Sequence, residues 1–333
     1  MIKPLLSICI PTYNRCEYLE TCLDSIVSQR EFLDGEVEVV VSDNASTDNT
    51  QVVVGKYTAK YAQVKYFRND TNILDYNFPL VLSRATGLYR KLINDTFYVL
   101  EGELEYLCDL IKEHKDKHTQ LFFLNQNRKS ISQELIECNN FDRFAEVACT
   151  WTTWNGSFGL WDFECENIEN DTAGCDQKLW VCKKVYELVN KKENALVCNK
   201  RIFGYQPRIK PKNLTYGVFN VLYCNFLNIL NEYLKKGILS ETTYNKVKKE
   251  DLYIIMTNEL IASEINSKAA VYSKNENLKQ LVFDEVKKNY NWEEYYSYYK
   301  RKKLATFLKM RIKKVLKYLH IWDIIVALHI RDQ

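Results

Sequence analysis

Three polar clusters in the first hundred residues carry side chains able to hold a ligand. Pro11-Thr12-Tyr13-Asn14-Arg15, Ser42-Asp43-Asn44-Ala45-Ser46-Thr47-Asp48 and Asn94-Asp95-Thr96 each directly follow an apolar run. A flat aromatic such as Tyr13 beside polar side chains suits a nucleobase, which needs stacking and hydrogen bonds along its edge. A carboxylate after a later strand, here Asp95, suits ribose hydroxyls or a metal bridging a diphosphate. His114 and His118 stand four apart and could pair on a metal, but their lysine-rich surroundings read as a solvated helix end. The chain carries no GxGxxG, P-loop or Ser/His/Asp order, which leaves NAD, ATP and hydrolase chemistry with little support.

Such clusters act together only if the surrounding elements gather them. Residues 5–10 form an apolar run stopped by Pro11, a strand pattern. Leu19, Leu23, Ile26 and Val27 recur at helical spacing over 17–29. Residues 36–42 are β-branched and strand-like, and Thr47 or Asp48 can cap a second helix running towards residue 61. Further strands are expected at 64–67, 89–93 and 121–124, and helices at 76–86, 103–118 and within 169–190. Strands and helices that alternate with short connections predict a mostly parallel sheet with helices on both faces, an α/β fold. In such sheets ligands sit at the carboxyl ends of the strands, where strand order reverses. All three clusters would then share one rim. From residue 216 onward the pattern is helical almost throughout, with a boundary near Pro207 and Pro211.

The composition is that of a globular protein with a sizeable core, 46% apolar and 27% charged. A net charge of +3 does not point to nucleic acid. Eleven cysteines without a CxxC pair read as reduced, buried thiols in a cytoplasmic protein. The N-terminus lacks the features of a secretory signal, and no run reaches the ~18 apolar residues of a spanning helix.

The stretches LSICIPTYNRCEYLETCLDSIVSQ, EVVVSDNASTDNT and YFRNDTNILDYN together resemble the start of a GT-A (Rossmann-like), family-2-type bacterial glycosyltransferase. Within that group the abequosyltransferase and capsule or O-antigen branch is most similar. The resemblance is strong over residues 4–105, weaker to 225 and nearly absent beyond. It implies a GT-A catalytic domain over 1–210, with 1–105 as the nucleotide-sugar half and 106–210 as the acceptor half. A helical C-terminal region follows over 211–333. The implied reaction is inverting transfer of a sugar from a nucleotide-sugar donor to a glycan or a polyprenyl-diphosphate-linked acceptor. Carried over by position, Pro11, Thr12, Tyr13, Asn14, Asp43 and Asn44 surround base and ribose. Arg68 contacts the base or a phosphate, Asp75 and Asn77 pack beneath the donor, and Asn94, Asp95 and Thr96 take the place of the acidic turn.

Three positions depart from the family pattern. Asn44 stands at the second acidic position of its loop, and Leu74 stands where relatives have glycine. The acidic turn holds one carboxylate, Asp95, where relatives show two or three. Mn²⁺ or Mg²⁺ is therefore expected to be held weakly by Asp95 or not used, since these ions prefer several hard oxygens. A nucleotide-binding scaffold with a degenerate, non-catalytic site is the alternative reading.

On the acceptor side, the resemblance implies an acidic general base opening a helix. Asp176 is the first choice, with Asp171 and Glu169 behind it; a helix cap is the competing role for Asp176. Trp154, in a segment rich in aromatics and hydroxyls, is expected to shape the acceptor or donor-sugar pocket. Residues 300–317 hold nine lysines or arginines and no acid. Leu304, Phe307, Leu308, Ile312, Val315, Leu316 and Leu319 recur among them at helical spacing, and Trp322, Ile324, Ile325 and Leu328 continue the apolar surface. That amphipathic tail predicts either peripheral association with the inner face of the cytoplasmic membrane or packing on protein. The helical third could also build a homo-oligomer.

Overall fold

The computed structural model describes residues 3–126, 131–192, 195–207, 216–265 and 277–318. The chain divides into two compact units, Met1–Ile209 with Cys224–Lys248, and Lys210–Tyr223 with Lys249–Gln333.

The first unit is built on a five-stranded sheet. Strand β1 (Leu6–Thr12) is followed by helices α1 (Cys16–Val27) and α2 (Arg30–Leu33), then β2 (Val37–Asp43), α3 (Thr50–Lys60) and β3 (Val64–Arg68). Next come α4 (Asn77–Ser83), β4 (Tyr89–Leu92), β5 (Phe97–Val99), α5 (Glu103–His114), β6 (Gln120–Phe123) and β7 (Leu135–Cys138). Helix α6 (Phe141–Ala148), β8 (Gly159–Trp161), α7 (Trp180–Lys192), β9 (Ala195–Cys198) and β10 (Phe203–Tyr205) complete the α/β part. Helices α8 (Phe226–Lys235) and α9 (Glu241–Glu250) follow.

The main sheet has the order β3-β2-β1-β4-β8. Its first four strands are parallel, and β8 runs antiparallel against β4. Helices cover both faces, so β1 and β2 bury almost every side chain, as a parallel sheet requires. Helix α1 turns Leu19, Cys22, Leu23 and Ile26 inward, an i, i+3, i+4, i+7 stripe. Strands β6, β9 and β7 form a second sheet, and β5 pairs with β10. The central order reverses at β1, which has β2 on one side and β4 on the other. That is the switch point at which such sheets take ligands.

Two expectations change in detail. The helix sought within 169–190 begins only at Trp180; residues 171–179 are turns, with Gly174 at φ 96° and Lys178 at φ 62°. Helix α5 stops at His114, and His118 lies beyond it at φ 46°, so the two histidines do not share a helical face. The His118 ring packs on Trp161 and Phe163 instead.

The second unit is helical in its described parts. It contains α10 (Thr257–Ile265), α11 (Leu278–Asn289) and the 27-residue α12 (Trp292–Tyr318). Among the described residues no helix is long and apolar enough to cross a membrane. Residues 319–333, including Leu319, Trp322, Ile324, Ile325 and Leu328, lie outside the described residues.

Candidate active site

Strand register builds the site. Thr12 pairs with Asp43, and Asp43 with Arg68, so one row across β1, β2 and β3 ends in these three side chains. On the other side Cys9 pairs with Leu92, which brings Asp95 level with Thr12 three residues further along each strand. The first, second and third clusters therefore meet at the carboxyl edge of the sheet.

Asp43 is fully buried and accepts hydrogen bonds from Ser46 N (2.8 Å) and Tyr66 Oη (2.6 Å), with Arg68 Nε 3.7 Å away. Desolvation and the adjacent Asp43 push the Tyr66 hydroxyl well above its usual pKa, so it remains a donor. Arg68 also donates to Ser46 O at 3.0 Å. Asn14, at φ 52°, receives bonds on Oδ1 from Thr47 N (2.7 Å) and Thr47 Oγ1 (3.3 Å) and so ties the first cluster to the second. Pro11 lies within β1, which ends at Thr12, and Tyr13 beyond it is 42% exposed, a ring face open to a ligand.

Asn44 and Asn77 are turned inward. Asn44 Nδ2 donates to Asn72 Oδ1 (2.8 Å) and Leu74 O (3.2 Å), while its Oδ1 accepts from Asn69 Nδ2 (3.1 Å) and Ile73 N (2.9 Å). Asn77 accepts from Ser42 Oγ (2.5 Å) and Asn69 Nδ2 (3.1 Å), and donates to Ser42 O (2.9 Å). Both amides thus hold the segment between β3 and α4 against β2. Arg84 joins them through Ser42 Oγ (2.6 Å) and Asn69 Oδ1 (2.8 Å).

Asp95 is almost completely buried, and each carboxylate oxygen is engaged. Thr12 Oγ1 donates to one at 2.8 Å and Arg15 Nη1 to the other at 2.8 Å. Gln206 braces this turn, its side chain donating to Asp95 O and Phe97 O at 3.4 Å each and its backbone N–H donating to Thr96 O at 3.0 Å. Asn94 O accepts from Phe97 N at 3.0 Å. This donor set does not fit a divalent cation. One carboxylate is available, and a guanidinium already stands at coordination distance from it, where a metal would meet like charge. Among the described residues Cys16, Glu17 and Asp48 are another group near enough to share an ion. Desolvation and the neighbouring Asp48 raise the Cys16 thiol pKa, and Asp48 is taken by Thr50 and the Cys16 backbone, so this group is a poor ligand set.

The acceptor-side residues approach the same segment. Asp176 lies in the tight turn before α7 and does not cap it. Its Oδ1 accepts from Tyr76 Oη at 3.0 Å. Two residues on, Lys178 Nζ is 3.9 Å from Asp75. Burial pushes the Asp75 carboxyl up to about 6, with the Lys178 ammonium opposing the rise. Asp171 is paired with Lys184 at 2.6 Å, which disfavours it as a base. Glu169 lines a cleft of about 510 Å³ with Asn72, Ile73, Leu74, Tyr76 and Leu80. Trp154 packs its half-buried ring on Phe97 (5.3 Å between centroids), two residues after Asp95.

Several contributing residues carry no sequence signal of their own. Tyr76 and Asp176 are separated by 100 positions, and Gln206 reaches back 111 residues to Asp95. Lys91, fully buried and held well below the usual lysine pKa by desolvation, ties β4 to the next segment by donating to Gly156 O (2.5 Å) and Phe158 O (3.2 Å). Arg15 is the exception, since a cation directly after PTYN marks it.

The sequence profile of glycosyl transferase family 2 matches residues 7–156, from β1 through the acidic turn to Gly156. This stretch is a glycosyl transferase family 2 domain. The chain is 40% identical over 119 residues to abequosyltransferase RfbV of Salmonella typhimurium, a match covering 32% of this chain and 35% of that protein. It is 29% identical over 133 residues to the poly(ribitol-phosphate) beta-N-acetylglucosaminyltransferase TarS of Staphylococcus aureus, covering 39% of this chain and 23% of that one. The chain thus spans about a third or less of the length of these two relatives. In three dimensions it is similar to S. aureus TarS 1-349 in complex with UDP, with a TM-score of 0.51, 16% identity and coverage of 95% and 92%. That likeness shows the GT-A fold.

Proposed function

We propose that this chain is an inverting glycosyltransferase that moves a sugar from a nucleotide-sugar donor to a hydroxyl of a surface glycan. Membership of the first half in family 2 carries the reading, and the names of the curated relatives support a surface-polymer context such as O-antigen or capsule. A glycan on a polyprenyl-diphosphate lipid would be an acceptor of the right class. The convergence of Tyr13, Asp43, Arg68 and Asp95 at the switch point supports a donor site there. Tyr13 offers a stacking face for the base, and Asp43 and Arg68 offer polar groups to base, ribose or phosphate.

The chemistry needs a base for the attacking hydroxyl and compensation for the leaving diphosphate. Asp176 is assigned as base. It accepts from the Tyr76 hydroxyl at 3.0 Å, whereas Asp171 is held by Lys184 at 2.6 Å. Removing the proton as attack proceeds is worth roughly 10²–10⁴-fold in rate. Arg15 and Arg68 supply positive charge on the donor side. A second reading, a nucleotide-binding scaffold, draws on the saturated Asp95 carboxylate.

A nucleotide-release screen over UDP-, dTDP-, GDP- and CDP-sugars, with Mn²⁺ and with a chelator, separates these readings. The expected result is sugar-dependent release from one donor class that persists in the chelator. Nucleotide binding without any turnover would leave the scaffold, and activity that collapses on chelation would contradict the metal-free site.

A further inference from the structure

Helix α12 has two halves of different character. The first half is built into the second unit. Tyr295 and Tyr299 are buried, the Tyr295 hydroxyl lies 2.9 Å from Thr257 Oγ1, and Tyr299 donates to Glu264. Glu264 also pairs with Lys303 at 2.8 Å and Lys279 at 3.0 Å. Beyond Lys303 this packing ends, and nearly every side chain to Val315 is exposed.

Leu304, Leu308, Ile312 and Val315 are spaced i, i+4, i+8 and i+11, which aligns them on one face of the helix. Their exposures are 59%, 49%, 57% and 55%. Lys302, Lys309 and Lys313 fall on the opposite side at about 100° per residue. Four aligned apolar side chains in water on an otherwise anchored helix call for a partner.

We propose that residues 304–315 of α12 are a docking surface for an anionic phospholipid bilayer. The apolar stripe enters the boundary between headgroups and acyl chains, and the flanking lysines and arginines meet lipid phosphates. Charge selects this occupant. A second copy of the helix would set nine cations against nine across residues 300–317, with no carboxylate in that stretch to pair them. A nucleic acid would satisfy the cations and leave the stripe wet, whereas a bilayer satisfies both faces. This surface does not depend on the donor-site chemistry.

The test is co-sedimentation of the full chain with phosphatidylcholine vesicles and with vesicles carrying about a quarter phosphatidylglycerol, at low and at high salt. Binding is expected to the anionic vesicles alone. It should weaken about tenfold or more in high salt, in the triple variant Lys309→Gln, Lys313→Gln, Lys314→Gln, and in the double variant Leu308→Asp, Ile312→Asp. Far-UV circular dichroism of both variants should match the parent, since the five substituted side chains are exposed. Failure to bind anionic vesicles, or equal binding to phosphatidylcholine alone, would overturn the proposal. So would a concentration-dependent dimer, or an RNA complex, lost in the same variants while vesicles are ignored. Absence of nucleotide release would count against the proposed reaction and leave this result standing.

Discussion

Both ends of the Asn44 amide are used, two bonds donated and two accepted, and all four go to the segment 69–74. A carboxylate in that place would face Asn72 Oδ1 and Leu74 O without a proton to give either. Asn44→Asp is therefore expected to lower unfolding free energy by about 2 kcal/mol, since buried acceptors left unpaired are expensive. Urea denaturation reads this, and an unchanged midpoint would show the amide to be dispensable. Asp75 presents the opposite case, a carboxylate whose burial is incompletely compensated. Its folded pKa of about 6 lies above the ordinary 3.8, so the native state holds the proton more tightly. That contribution is complete below pH ~4 and is lost as pH rises through 6, costing up to about 3 kcal/mol at neutral pH. Asp75→Asn should raise stability at pH 7.5 and change it little at pH 4. A pH-independent effect would mean that Lys178 fully compensates the charge.

At the scale of elements, the residue at position 74 sits in a conformation that its type disfavours. Leu74 has φ 54° and a 58% exposed side chain at the entry to the short helical turn before α4. Leucine gains little there from burial and bears a left-handed backbone that glycine adopts without strain. Leu74→Gly is expected to stabilise the fold by roughly 0.5–1 kcal/mol, and a loss of stability on denaturation would contradict that account. The same element shows what the sequence reveals of the fold. Strands β1 and β2 and helix α1 are legible because each buries a nearly unbroken apolar run or a full helical stripe. Strands β5, β7, β8 and β10 are three or four residues long, too short to display a period, and they exist through distant partners such as Val99 for Phe203. The resemblance puts Asp176 at the opening of a helix, yet Gly174 and Lys178 with positive φ shape a turn there and α7 begins only at Trp180. The three clusters were placed on one rim by their position after strands. Their partners across the chain, Gln206 for the acidic turn and Tyr76 for Asp176, depend on folding distances that spacing does not encode.

Across the whole molecule, the family 2 region ends near the boundary between the donor residues and the turn that carries Asp176. The match covers the donor-side residues and Trp154, and Asp176 lies beyond it. Tyr76 joins them, since it follows Asp75 in the donor-side segment and donates to Asp176. The most direct measurement compares the wild type with Asp176→Asn on the best donor found by the nucleotide-release screen, recording donor affinity and release rate in parallel. The account predicts donor affinity within about twofold of wild type and a release rate lower by roughly 10²–10⁴. Wild-type turnover by Asp176→Asn would contradict it.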